Sequence, residues 1–393
     1  MTDYTWTGAS NTSWANGANW SGGTGSDFPD DNGDKAIFNS GSANCTMNVF
    51  SLTVGEISIT SGYSGTINQT GAVTVDNAGA HNGNLTIEGG TWNTLGSSTS
   101  HALTVKGGIK NTGTLTANAS TIIITGEIAG FAFDQMGTFN ACTSTIQIGD
   151  GSTSTVGSST HFKTNNCHNL IINQHIDAPN GNVAWRAYTG TEVTIGGNLT
   201  ITRGRFYRNT STQDLTVTGD VDIASVGKLG TEAASGSNTF RSLTINSGGT
   251  YQATSGTTNI TGETGGFAID NDGTFTHNNG KVNITTANTV IAFSGTGNLY
   301  DLEINGLVQV PSGTHTIDNN VTVASGHTFS TNNLSTNLTV HGIVNASGTF
   351  WRTDNTGTVT LGGLTINSGG LYRATNATTI IKGALRNLGG TIT

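Results

Sequence analysis

Three-residue words of the form apolar–Thr–apolar recur along the whole chain, among them Leu85-Thr86-Ile87, Leu103-Thr104-Val105, Leu199-Thr200-Ile201, Leu215-Thr216-Val217, Leu243-Thr244-Ile245, Val321-Thr322-Val323, Leu338-Thr339-Val340 and Leu364-Thr365-Ile366. Looser variants, TIQI (145–148), NLIIN (169–173), KVNI (281–284) and DLEI (301–304), fill the gaps. Each word is a short strand whose first and third residues point to one side and whose Thr points to the other. A strand this short cannot bury its apolar side alone. The words return about every 16–28 residues with Gly- and Asn-rich turns between them, so each forms one side of a coil that is buried only by stacking on its neighbours. The expected fold is all-β, a single-chain parallel β-solenoid, right-handed after the usual hand of parallel crossovers.

Composition supports stacking over disorder. The chain has 393 residues with 57 Gly, only 3 Pro and 10% charged residues, against about 25% in an ordinary globular protein. Without the recurring β-branched words this mixture would read as unstructured. Thr and Asn suit a stack, because identical side chains on successive coils can hydrogen-bond as ladders along its outside or corners. The net charge of −9 opposes nucleic acid, so no nucleic-acid partner is expected. No apolar run approaches the roughly 20 residues that span a bilayer, so no membrane insertion is expected, and the start MTDYTWTGAS lacks the basic and apolar regions of a secretion signal. Cys45, Cys142 and Cys167 make no disulfide framework, although Cys142 and Cys167 stand about one coil apart and either a bond or two reduced thiols would suit that spacing.

A longer period overlies the short one. LTINSGGTYQAT (243–254) reappears as LTINSGGLYRAT (364–375), with LTVKGGIKNTGT (103–114) as a looser copy, and GEIAGFAFDQMGTF (126–139) as GETGGFAIDNDGTF (262–275). NLTIEGGTWNT (84–94) likewise resembles NLTITRGRFYRNT (198–210) and NVTVASGHTFSTN (320–332). The expected organisation is an N-terminal cap with first coils at 1–83 and three solenoid units at 84–197, 198–319 and 320–393, the last one shortened. The Asn-Ser-Gly-Gly of the doubled segment reads as a tight corner between strands.

The opening TWTGASNTSWANGANWSGGTGSDFPDDNGDKAIF (5–38) differs, with Trp6, Trp14 and Trp20 beside a run of acids. It resembles the Trp-rich opening of repeat-rich β-solenoid proteins of phage virions (decoration, fibre or tailspike-like) and of bacterial cell surfaces, over about a tenth of the chain. Large aromatics in a Gly-rich wrap can close the open edge of a first coil, and a separate glycan-binding module is the alternative, since Trp rings are also sugar platforms.

Several residue groups could carry chemistry. Asp27, Asp30, Asp31 and Asp34 crowd oxygen ligands suited to Ca²⁺, or else form turns entering the strand at 35–38. Glu127, Asp134, Glu263 and Asp270 resemble the carboxylate set of a glycosidic-bond-cleaving solenoid, but the second pair repeats the first in the same local frame, which points to architecture and not to a unique active centre. His161, His168 and His175 are evenly spaced, and a spacing of seven does not converge them on a metal. Five of the eight arginines follow an aromatic directly: Trp185-Arg186, Tyr207-Arg208, Phe240-Arg241, Trp351-Arg352 and Tyr372-Arg373. Alternation places the aromatic inside and Arg outside, where five arginines form a stripe for an acidic partner or a glycan. Asn-x-Ser/Thr sequons, as at Asn84 and Asn198, are expected by chance in a chain this rich in both.

Three roles fit these readings. The first is a non-enzymatic structural or attachment protein of a phage virion, its partners other virion proteins or its own copies, including a trimer, and a host surface glycan. The second is a bacterial surface adhesin or extracellular filament subunit. The third is a polysaccharide depolymerase.

Overall fold

The computed structural model describes residues 2–393 except 80, 97–98, 153–158, 165, 175–181, 187–191, 209, 211, 231–233, 332–334, 354–355 and 375–376, with the backbone alone at 159, 182 and 184–186. The fold is all-β, a parallel β-solenoid of about 14 turns in all. It divides into two compact units, residues 1–197 with 201–209, and residues 198–200 with 210–393.

In the first unit each coil contributes three short strands, and each strand pairs in parallel with its counterpart one coil on. One column of inward residues runs Leu52, Val73, Leu103, Ile122, Ile146 and Leu170. A second runs Ala36, Ile57, Leu85, Ile109, Phe133 and Phe162. The third runs Cys45, Ile67, Trp92, Leu115 and Phe139. Every member of the three columns is buried. The core is thus a set of apolar stacks, each residue resting on its partners in the coils on either side, which is how three-residue strands escape water.

The apolar–Thr–apolar words and their variants supply the first column, while in the second only Leu85-Thr86-Ile87 is such a word. Three of the five members of the third column come from strands hidden in stretches that read as turns, TWN (91–93), TLT (114–116) and TFN (138–140). Each sets one buried apolar residue between two polar residues that are half-buried or exposed, so its period-2 signal is a single point.

The second unit follows the same plan. One column runs Val217, Phe240, Ile260, Ile284, Ile304, Val323, Ala346 and Ile366. Another holds Val308, Phe329, Phe350 and Tyr372, where the rings of Phe329 and Phe350 stack with centroids 5.6 Å apart. Outside the core, side chains bond coil to coil. Asn283 donates to Asn259 at 3.0 Å and Asn305 to Asn283 at 2.8 Å, a ladder that Asn118, Asn93 and Asn68 form in the first unit. Lys35–Glu56, Lys110–Glu88, Lys163–Asp134 and Lys281–Glu303 are ion pairs between coils, at 2.7, 2.7, 3.0 and 2.7 Å.

The doubled segment behaves as strand and corner. Gly249 N–H donates to Asn246 O at 2.8 Å and Gly370 N–H to Asn367 O at 2.9 Å, with Gly248 at φ 86° and Gly369 at φ 80° in the left-handed region. Tyr251 and Tyr372 point inward and meet Thr258 and Thr379 through their hydroxyls, at 3.0 and 2.6 Å. Yet the copies occupy different columns. Leu243 pairs with Ile269, while Leu364 pairs with Val344 and Leu385, in the column that passes through Leu302 and Val282. The repeat is therefore not a whole number of coils.

A Cβ on Gly370 would lie 2.2 Å from Ala346 O, an acceptor already bonded to Asn367 N–H, whereas one on Gly369 would meet no atom within 4 Å. Gly370→Ala is expected to destabilise by about 2–4 kcal/mol and Gly369→Ala by about 1 kcal/mol, from left-handed strain alone. Denaturant midpoints of the two variants check the order, and equal losses would contradict the packing account.

Candidate functional site

The N-terminal segment closes the first coil. Residues 2–5 pair in parallel with 34–37, and Thr5 and Trp6 pair antiparallel with Ser21 and Trp20. Trp6, Trp14, Trp20, Phe38 and Tyr63 interlock, with Trp14 and Trp20 4.7 Å apart edge to face. Each indole N–H is satisfied inside, Trp6 by Ala43 O, Trp14 by Pro29 O and Trp20 by Trp14 O. The three Trp rings are buried, so they offer no sugar platform, and the alternative of a Trp-based glycan module is corrected to a hydrophobic cap.

Below the cap, Asp30, Asp31 and Asp34 bring one oxygen each within 4.8 Å of the others. Asp27 stands apart from this group and accepts from Tyr4 Oη at 2.9 Å; burial, with that carboxylate second, pushes the Tyr4 phenol up to about 12. Much of the triad is turn geometry: Asp31 Oδ1 accepts from Gly33 N–H at 2.6 Å and Asp34 Oδ2 from Asp30 N–H at 3.3 Å. Burial and the neighbouring carboxylates raise Asp30; burial raises Asp34 against its hydrogen bond from Asp30. Such a group has the hard-oxygen chemistry of a Ca²⁺ site. It is the only group of three such ligands among the described residues, and His161 and His168 join none. His161 instead lies against the Phe131 ring, and His175 falls outside the described residues.

The duplicated GExxGFAxDxxGTF segments fold alike. Ile128 and Phe131 exchange two backbone hydrogen bonds around Ala129 (φ 51°) and Gly130 (φ 83°); Thr264 and Phe267 do so around Gly265 (φ 60°) and Gly266 (φ 90°). Both are two-residue turns of the mirror-image type that suits a tight hairpin. Asp134 is ion-paired with Lys163, and the Glu263 carboxylate accepts from Gly266 N–H within its own turn. Burial, then Asp272, raises Asp270. Glu127 differs: its Oε2 is shut off from solvent without a hydrogen-bond partner.

Beneath each turn lies a cation–carboxylate pair from the two preceding coils, Lys106 with Asp76 at 2.9 Å and Arg241 with Asp220. In the second unit the corner is filled. Ser242 Oγ donates to Asp220 at 2.6 Å and meets Thr264 Oγ1 at 3.0 Å, and Arg241 donates to Glu263 O at 3.0 Å. Burial alone would raise the Asp220 carboxyl; hydrogen bonds from Ser242, Arg241 and Thr264 outweigh it and hold the group below the ordinary range.

The arginines do not form one outward stripe. Arg241 and Arg373 follow inward aromatics and face out, Arg373 lying over the Trp351 ring at 5.2 Å. Arg208 and Arg352 are buried and their aromatic neighbours, Tyr207 and Trp351, are the outer residues. The phase is set by the residue before the aromatic: Phe206 and Phe350 are core residues, so position +2 from each must also point in. That signal, an aromatic two residues ahead of Arg, is present in the sequence. Arg352 is fully enclosed and donates to Gly357 O, Ala377 O, Thr378 O and Thr379 Oγ1 at 2.7–3.2 Å, tying two corners together. Trp185 and Arg186 lie on the strand Asn182–Arg186, and their side chains fall outside the described residues.

All three cysteines are free thiols. Cys142 is exposed at a left-handed turn (φ 49°) and Cys167 is buried, on opposite sides of the coil wall.

Two outcomes check these assignments. Arg352→Ala leaves a set of buried carbonyls without donors and should cost about 3–5 kcal/mol in denaturant unfolding, whereas Arg241→Ala should cost under about 1 kcal/mol. The raised Asp30 and Asp34 carboxyls bind protons more tightly folded than unfolded, so their contribution falls as pH rises from about 4, the unfolded value, through their raised folded values. Trp-fluorescence midpoints of the wild type should decline across that window and those of Asp34→Asn should decline less; parallel curves would contradict the assignment. No protein-family model, no curated protein and no solved structure matches this chain.

Proposed function

We propose that this chain is a non-enzymatic structural or attachment protein of a phage virion, a capsid decoration, fibre or tailspike-like element built as a β-solenoid. The observation that carries the reading is the use made of its polar side chains. The cations Lys35, Lys106, Lys110, Lys163, Arg241 and Lys281 each pair with a carboxylate on another coil, and the asparagines bond to one another in ladders. Chemistry spent on holding coils together serves mechanical persistence, which a particle component needs. Of the carboxylates that suggested glycosidic cleavage, Asp134 is ion-paired and Glu263 closes its own turn, which favours the scaffold reading over the depolymerase.

Peptide mass spectrometry of gradient-purified virions is expected to recover this chain in stoichiometric amount; recovery from washed bacterial cells instead would favour the adhesin reading. Incubation with bacterial polysaccharide is expected to release no reducing ends. Of the four arginines that follow an aromatic and have described side chains, Arg241 and Arg373 face outward, so Arg241→Ala with Arg373→Ala is expected to leave particle assembly intact and to weaken host attachment about tenfold. Unchanged attachment would remove the arginines from the contact surface.

A further inference from the structure

The corner beneath the first hairpin turn is open where its counterpart in the second unit is closed. A groove of about 390 Å³ there is lined by Asn77, Asn82, Asn84, Lys106, Glu127 and Ile128. That volume lies in the range of small-molecule sites, about 300–1,000 Å³. Its floor is backbone: a Cβ on Gly107 would come within 2.4 Å of Asn82 O, and one on Gly126 within 2.1 Å of Lys106 O. Glycine at both positions is what lets the coils close up there and leaves the groove above them.

The lining is polar and mixed in character. Asn84 Oδ1 accepts from Gly108 N–H at 2.9 Å, which orients its amide nitrogen, and Lys106 Nζ is held by Asp76. Glu127 has no ion-pair partner among the described residues, and its Oε2 is buried without a donor, an arrangement that costs free energy until a donor is supplied. In the second unit the same position is settled, because Glu263 accepts from Gly266 N–H, and Ser242 and Thr264 fill the space.

We propose that this groove is a binding site for an uncharged polyhydroxylated ligand, a single hexose unit of a glycan. Amide groups donate and accept, the ammonium of Lys106 donates, and Glu127 accepts once a rotation about its side-chain bonds turns the orphaned oxygen toward a ligand hydroxyl. Hydroxyl groups, which both donate and accept, are the partners that satisfy such a set. Lys106 and Asp76 neutralise each other, so the remaining charge of Glu127 disfavours an anionic ligand. The site stands on the groove alone and holds whatever particle or surface carries the chain.

Saturation-transfer NMR on the purified full-length protein, with methyl hexosides of gluco, galacto and manno configuration and the matching uronates as probes, tests it. Expected are transfer to at least one neutral hexoside, a dissociation constant about tenfold or more weaker in Glu127→Gln and Asn82→Ala, weaker binding of the uronate, and no change in Glu263→Gln. Matching thermal midpoints establish that the variants are folded, and Asn82, exposed on its loop, decides the matter if Glu127→Gln is not. No transfer to any neutral hexoside, equal binding by wild type and Asn82→Ala, or equal loss in Glu263→Gln would each overturn the proposal.

Discussion

Everything in this molecule depends on parallel strands being held in register, so that each inward side chain meets its counterpart one coil away. A strand of three residues has too few contacts to persist alone. In register it shares its backbone hydrogen bonds and its apolar residue with two neighbours, and the column becomes the unit of stability. Leucine on valine, phenylalanine on phenylalanine and asparagine on asparagine are consequences of one geometry, applied to side chains that point in or out.

The same register explains which glycines cannot be replaced and why. Corners must pass one another at the spacing of stacked strands, and at several of them a side chain would sit on the carbonyl of the preceding coil. Composition follows from this: a chain with few charges and many glycines can stack densely, and six of its cations pair with carboxylates across the coils. The cap is the exception, because a first coil has no predecessor; three tryptophans and their neighbours supply the missing layer.

Much of the fold was legible because period-2 alternation needs only three residues to register, as in Leu103-Thr104-Val105. The third column was not, since Trp92, Leu115 and Phe139 each stand alone between polar neighbours and carry no alternation of their own. The arginines failed for a related reason. Trp351 and Arg352 are both amphipathic, so the pair fixes no phase, and the decision rests with Phe350 one residue earlier. The groove could not be read at all: Glu127 and Glu263 have the same local sequence frame, and the difference lies in what other coils place beside them, a loop of asparagines in one case and Ser242 in the other.

The displaced copies of LTINSGG carry a consequence for how such a chain can change. Because Leu243 and Leu364 sit in different columns and each is well packed, the columns are interchangeable hosts for a strand and its corner. Insertion or loss of a segment then need not conserve whole coils. A shift by one strand preserves the stacking while turning every later surface feature to a new side, so duplication in such a chain acts as a means of re-aiming its exterior at no expense to its interior.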